Sequence, residues 1–172
     1  MTAVDDLTFR PPTLDDGAPV WDLAGRAGKL DLNASYAYVL WCRDFAATSV
    51  VVESDGSIVA FITGYSRPDE PSTLFVWQVA VDPSMRGRGL ASRMLDHLVA
   101  RVEPAMVEAT VTPDNEPSAA MFDSLARRLG VEIRRSPLMA AADFPDEHEP
   151  EELVLIGPMS RPTIIASDGG TR

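Results

Sequence analysis

The spacing of apolar and polar positions changes several times along the chain, and each change marks an element. Leu7 to Arg10 reads as a short strand stopped by Pro11 and Pro12, which cannot donate to a ladder. Asp15 and Asp16 offer N-cap oxygens for a helix running to about Gly28, a plausible C-terminal stop. Asn33 and Ser35 offer caps for a second helix, with Tyr36, Val39, Leu40 and Phe45 at helical spacing. The period then shortens. Thr48 to Glu53 and Ile58 to Ser66 are rich in β-branched residues and are joined by Ser54-Asp55-Gly56-Ser57, which predicts a hairpin. Residues 73–81, TLFVWQVAV, carry apolar side chains on both faces, which predicts a central strand covered on both sides. Leu90, Met94, Leu95, Leu98 and Val102 form one stripe of a third helix.

Met106 to Thr112 reads as another strand, and Pro117 suits the first turn of a helix that reaches Leu129 and stops at Gly130. Val131 to Arg135 and Leu153 to Ile156 are candidate closing strands, separated by a long loop over residues 136–152. From Pro158 onward proline, serine and glycine without periodicity predict a loose tail, so one domain is expected over 1–158 and a tail over 159–172. The order predicts a mixed α+β sheet with a partly antiparallel first half, because the three-strand meander breaks the alternation a doubly wound sheet needs.

Composition narrows the function classes. The chain has 172 residues, 45% of them hydrophobic, which suits a single domain and excludes disorder throughout. The longest apolar runs are strand-sized, too short to cross a bilayer, and the opening residues are acidic and broken by proline rather than shaped like a secretion signal. With one cysteine, Cys42, no internal disulfide is possible, and a cytoplasmic protein is expected. The net charge of −11 argues against nucleic acid and anionic membrane as partners. The charge is uneven: residues 1–85 hold 5 basic and 12 acidic groups, residues 86–135 hold 8 and 7, and residues 136–172 hold 2 and 7. An anion is best received in the middle segment.

That segment contains the sharpest motif. The central strand runs through Asp82-Pro83 into Arg86-Gly87-Arg88-Gly89-Leu90-Ala91, and a helix starts at once. First-turn amides of such a helix lack internal acceptors and carry the positive end of the dipole. Glycines at 87 and 89 let the backbone approach a diphosphate, and Arg86, Arg88 and Arg93 add positive charge. A Walker loop is excluded because the only lysine is Lys29, and a dinucleotide fingerprint because the loop lacks its third glycine and the strand order is not that of a βαβ unit. Two histidines and one cysteine without paired spacing give no metal site.

The same residues match Gln/Arg-x-x-Gly-x-Gly/Ala and resemble the acyl-CoA pyrophosphate loop of the GNAT N-acetyltransferase superfamily. The resemblance implies a GNAT-like mixed, mostly antiparallel sheet flanked by helices, with a splayed central strand. It implies that the main chains of Val79 and Val81 bind the pantetheine arm of acetyl-CoA. Asn115 falls where the family often contacts the cofactor; capping the next helix is an equally good role, and the two are compatible. The position where the family often carries a proton-donating tyrosine is Phe122, which has no proton to give.

Three longer stretches, LDLNASYAY (30–38), TLFVWQVAVDP (73–83) and FPDEHEPEELVLIGP (144–158), resemble the L-2,4-diaminobutyrate N-acetyltransferase family of ectoine biosynthesis. This implies acetyl transfer from acetyl-CoA to the γ-amine of a diamine that also bears a carboxylate. It implies Asp31, Tyr36, Trp77, His148 and Glu151 as acceptor-site residues, and a homodimer as the assembly. An alkylammonium is mostly protonated near neutral pH, so Glu151 or His148 is the candidate proton acceptor. Tyr36 or Tyr38 is the candidate acid for the leaving thiolate, and an amide near Val79 the candidate oxyanion donor. Blander roles stay open: Asp31 as a helix cap, Tyr36, Tyr38 and Trp77 as core aromatics, and the six carboxylates between Asp143 and Glu152 as a solvated loop. Acetylation of another amine, or acyl-CoA binding without catalysis, are the rival functions.

Overall fold

A computed structural model describes residues 6–28 and 30–160. Seven strands form one sheet, in the spatial order β1-β2-β3-β4-β5-β7-β6. In chain order the elements are β1 (Thr8–Arg10), α1 (Gly17–Ala27), α2 (Ser35–Asp44), β2 (Val50–Ser54), β3 (Ser57–Ser66), β4 (Thr73–Val81), α3 (Leu90–Val102), β5 (Met106–Val111), α4 (Glu116–Leu129), β6 (Ile133–Met139) and β7 (Glu151–Ile156). Every neighbouring pair is antiparallel except β4 with β5. This is the mixed, mostly antiparallel sheet that the resemblance implies.

Two cores lie on opposite faces. Leu90, Met94, Leu95 and Leu98 of α3 and Phe122 and Leu125 of α4 pack with Val52, Ile62, Val76 and Val107. Val20 and Leu23 of α1 and Tyr38 and Cys42 of α2 pack with Val51, Phe61 and Ala80. The predicted stripe of α3 is therefore its buried face. The helix stops also hold: Gly28 and Gly130 follow α1 and α4 in the left-handed conformation that a side chain strains.

The predicted helix starts need correction. No side chain caps α2, because Asn33 turns its amide to the Asp31 carbonyl instead. The Asp16 carboxylate serves a larger network: it accepts from the Thr13 amide at 2.7 Å and from the Arg10 guanidinium at 2.7 and 3.0 Å. A loop over the whole of residues 136–152 is corrected too. Residues 136–139 continue β6, and β7 begins at Glu151, leaving an acidic loop over residues 140–150. β6 is an almost fully exposed edge strand, so it carries no hydrophobic period to read. The chain still bonds the domain at Met159, whose amide donates to the Ala105 carbonyl, and the rest of the predicted tail, 161–172, lies outside the described residues.

The irregularity that matters is in β4. Thr63 pairs with Gln78 and Gly64 with Val76, so Trp77 is an extra residue, a bulge. The bulge shifts the alternation: Leu74 and Val76 face the α3/α4 core, and after it Ala80 faces the α1/α2 core. Opposite the bulge, a Cβ on Gly64 would stand 2.7 Å from the Thr48 carbonyl oxygen and 2.8 Å from that of Phe75. Beyond Val76, β4 leaves β5. Their pairing spans only Thr73–Val76 against Met106–Ala109, and the following stretch of β4 to Val81 pairs with β3 alone. The sheet is splayed there.

Candidate active site

The splay ends at the glycine loop. Gly87 and Gly89 have φ of +78° and +69°, and no atom lies within 4 Å of where a Cβ would be on either. The main chain is bare toward solvent, and α3 begins at Leu90 with its first internal bond from the Arg93 amide to the Gly89 carbonyl. The amides of Leu90, Ala91 and Ser92 are thus the outward donors of a helix start. A groove of about 520 Å³ joins Val81, Arg86, Gly87, Gly89, Leu90 and Ala91 to Pro117 and Met121 of α4. These features fit a phosphate-bearing cosubstrate entering along free β4 main chain at Val79 and Val81. Arg88 belongs to the same loop. Arg86 is also structural, because its guanidinium donates to the Ala27 carbonyl at 2.9 Å. Arg93 lies over the Phe9 ring, 4.8 Å from its centre.

A second cavity, about 590 Å³, lies on the other face. One wall is aromatic: Trp41, Tyr65, Phe75 and Trp77 line it, with the rings of Trp41 and Trp77 stacked at 4.4 Å. Trp41 is pinned by its indole N–H donating to the Gly64 carbonyl at 3.2 Å. The other wall is polar and holds Asp31, His148 and Glu151. His148 Nδ1 lies 2.6 Å from the Glu149 carbonyl oxygen, which can only accept, so Nδ1 donates there and Nε2 faces the cavity. Nε2 stands 3.4 Å from Asp31 Oδ2 and 3.8 Å from Glu151 Oε1. The Phe144 ring stacks on the imidazole at 3.9 Å.

These surroundings tune both titratable groups. The hydrogen bond to the Glu149 carbonyl, with the charges of Asp31 and Glu151, raises the His148 pKa above its ordinary 6.5 against a smaller opposing effect of burial. Burial raises the Glu151 pKa above its ordinary 4.5, with the Thr110 hydrogen bond and His148 pulling against it.

Of the residues expected at an acceptor site, Asp31, Trp77, His148 and Glu151 meet in this one cavity. Asn115 lines it too and also caps α4, accepting from the Ser118 amide at 3.2 Å. Tyr36 is 73% exposed and outside the cavity lining. Tyr38 is fully buried, with its hydroxyl donating to Gln78 Oε1 at 3.0 Å, so it does not face the cavity. Phe122 is in the α3/α4 core at 3% exposure. Burial raises the Cys42 thiol to about 11, as befits a packing residue. Sequence reasoning missed Trp41, Tyr65, Phe75, Gln78 and Thr110. Gln78 had a signal, a lone amide in an apolar strand. Trp41, Tyr65 and Phe75 had none, since an aromatic on a helix or strand reads as core, and Thr110 reads as an ordinary strand residue. Among the described residues no group of three or more His, Cys, Asp or Glu could hold a metal ion, and no helix is long and apolar enough to cross a membrane.

The acetyltransferase (GNAT) family pattern matches residues 19–126. An L-2,4-diaminobutyric acid acetyltransferase of Streptomyces coelicolor is 52% identical over 167 residues, covering 93% of this chain and 98% of its own. One of Nocardia farcinica is 49% identical over 156 residues, covering 89% and 81%. A solved diaminobutyrate acetyltransferase of Paenibacillus lautus, in complex with L-2,4-diaminobutyric acid and coenzyme A, superposes with a TM-score of 0.86 at 37% identity, covering 92% and 98%. A loop of bare main chain beside a splayed strand, and relatives about half identical along most of its length, place the chain in the GNAT acetyltransferase family, among the L-2,4-diaminobutyric acid acetyltransferases.

Proposed function

We propose that the protein transfers the acetyl group of acetyl-CoA to the γ-amine of L-2,4-diaminobutyrate, giving Nγ-acetyl-L-2,4-diaminobutyrate for ectoine biosynthesis. The observation that carries this reading is His148 Nε2 between Asp31 and Glu151, opposite the Trp41–Trp77 wall. A substrate with two ammonium groups and one carboxylate needs carboxylates for its ammonium groups and flat walls for its short chain. The glycine-loop groove and the acceptor cavity lie on opposite faces of the sheet. The first turn of α4 borders both, through Pro117 and Asn115, and the splay of β4 from β5 lets the thioester reach across.

The γ-nitrogen must lose a proton before it attacks, because an alkylammonium has a pKa near ~10. We assign that proton to His148 Nε2. Its raised pKa suits proton transfer near neutral pH far better than an ordinary carboxylate. Glu151 and Asp31 stabilise the imidazolium that results and hold the substrate ammonium groups. The free amine attacks the thioester carbon directly: the N–C bond forms, the C–S bond breaks, and the second proton that the nitrogen sheds as the amide forms goes to the departing CoA thiolate, giving the free thiol. The tetrahedral oxyanion accepts from a β4 main-chain amide near Val79, worth about 3 kcal/mol in comparable sites. Anchoring the α-ammonium and carboxylate at a fixed distance from the thioester selects the γ-amine. We propose a homodimer as the assembly. We take residues 1–158 as one catalytic domain and place it in the cytoplasm.

An amine panel with acetyl-CoA tests the reading. Turnover of L-2,4-diaminobutyrate to the Nγ product, faster than ornithine, a polyamine or a peptide N-terminus, is expected. Fast turnover of another amine with none of diaminobutyrate refutes it. Binding of CoA without thiol release for any amine means a sensor rather than an enzyme. Light scattering reads the assembly, a single subunit mass being the result against a dimer.

A further inference from the structure

Asp31 belongs to no helix or strand, and its side chain is 88% exposed, so packing does not hold its carboxylate beside His148. Its backbone is held instead. The Asp31 carbonyl accepts from Gln78 Nε2 at 3.0 Å and from Asn33 Nδ2 at 3.2 Å. Gln78 is 5% exposed and follows directly on the Trp77 bulge, which turns both residues toward the acceptor cavity. Its own orientation is set from below: the fully buried Tyr38 hydroxyl donates to Gln78 Oε1 at 3.0 Å, which leaves the amide nitrogen facing Asp31. The same hydroxyl accepts from the Asn33 amide at 3.5 Å, so the acceptor segment is tied at two residues. Burying an amide and a phenol in a core is costly unless they are bonded to each other and to the segment above.

We infer that Tyr38 and Gln78 are positioning residues, which fix the backbone of residues 31–33 and so hold the Asp31 carboxylate against His148 Nε2 at the amine end of the cavity. What Asp31 does there rests on the proposed function; where it stands does not. The role also explains why β4, otherwise apolar, carries a glutamine at position 78.

The test uses the full chain with Gln78→Met, which keeps the side-chain length and removes the donor, and Tyr38→Phe, which removes one oxygen. The first readout needs no substrate. His148 is one of only two histidines, so its ring proton can be followed by NMR titration. The groups facing it are Asp31 and Glu151 at Nε2 and the Glu149 carbonyl at Nδ1. Asp31→Ala is expected to lower the His148 pKa. Gln78→Met is expected to lower it comparably, Tyr38→Phe by less, and Gln78→Met to add nothing in the Asp31→Ala background. The second readout is kinetic. Gln78→Met raises KM for diaminobutyrate about tenfold and leaves KM for acetyl-CoA within about twofold, and the double variant with Asp31→Ala is no worse than Asp31→Ala alone. An unchanged His148 titration, independent additive effects on KM, or an equal rise in both KM values overturns the inference. If Gln78→Met does not fold, Tyr38→Phe carries both readouts. Normal titration behaviour without diaminobutyrate turnover in the wild type refutes the proposed acceptor and leaves the positioning role standing.

Discussion

The groove at the start of α3 and the acceptor cavity are both built on β4, yet they are built from different material. The anion end of the groove is main chain from one stretch of sequence, Val81 to Ala91, whose decisive atoms are amides exposed by Gly87 and Gly89, with Pro117 and Met121 of α4 as the other wall. The cavity is side chain, drawn from the segment before α2, from α2, β3, β4 and β5, and from the acidic loop and β7. A backbone site tolerates changes of side-chain identity but not of side-chain volume, because its donors are common to all residues. A side-chain site behaves in the opposite way: one lost carboxylate or imidazole removes chemistry that no neighbour replaces. The first kind of site suits an invariant cosubstrate and the second a particular amine.

Substitutions can break this contrast, and the largest effect belongs to the groove. Gly89→Trp forces a bulky side chain onto a left-handed residue at the phosphate approach, and KM for acetyl-CoA is expected to rise about 100-fold or more. Arg88→Gln removes charge but no donor amide from that loop, so a loss as large as that from Gly89→Trp would show that side chains carry the groove. On the acceptor side, His148→Gln is expected to lower kcat for diaminobutyrate about 100-fold with acetyl-CoA affinity unchanged. Glu151→Gln should cost less in kcat and more in KM. The reverse order for these two variants would transfer the base role to Glu151.

The pH profile gives a smaller and sharper effect. A base works when unprotonated, so the rate rises with pH through the His148 pKa, which lies above 6.5. Asp31→Asn removes one of the charges raising that pKa, so the acid limb of kcat should move to lower pH. A limb that stays in place shows that Asp31 does not face the base in solution.

The smallest effect lies outside the lining of both regions, at the end of β4. Asp82, at the end of β4, accepts from the Ser84 amide and hydroxyl and pairs with Arg26 of α1, and its pKa is lowered from 3.8 to about 2 by those bonds. Because the folded pKa is the lower one, the stability Asp82 contributes is present above 3.8 and is lost as pH falls through about 2. Asp82→Asn is expected to lower Tm by about 3 °C at pH 7. The difference from wild type should shrink toward pH 2, and a difference independent of pH would mean that the carboxylate charge is not what matters.

The legibility of the two regions follows from the same contrast. The glycine loop was readable because a helix start, two glycines and the strand before them are local: the motif is the site. The α3 stripe and the glycine stops were readable for the same reason, since helical contacts and left-handed residues depend on near neighbours. Asp31, Trp77, His148 and Glu151 were reached through resemblance and then found in one cavity. Trp41, Tyr65 and Phe75 were invisible, because an aromatic that lines a cavity and one that fills a core have the same spacing. Tyr38 shows the converse: a tyrosine that looked free to donate a proton has its hydroxyl committed to Gln78.

Sequence alone therefore determined the elements that depend on local periodicity, the glycine-rich anion loop and the excess negative charge around it. Tertiary structure decided the rest. The bulge at Trp77, made possible by close main-chain approach at Gly64, turns Gln78 to the acceptor face, and the short β4–β5 pairing opens the sheet beyond it. The reason is physical: strand pairing and register are contacts between residues far apart in the chain, and a one-residue slip exchanges the faces of every position beyond it. No local pattern in TLFVWQVAV records that slip, yet it decides which side chains line the cavity.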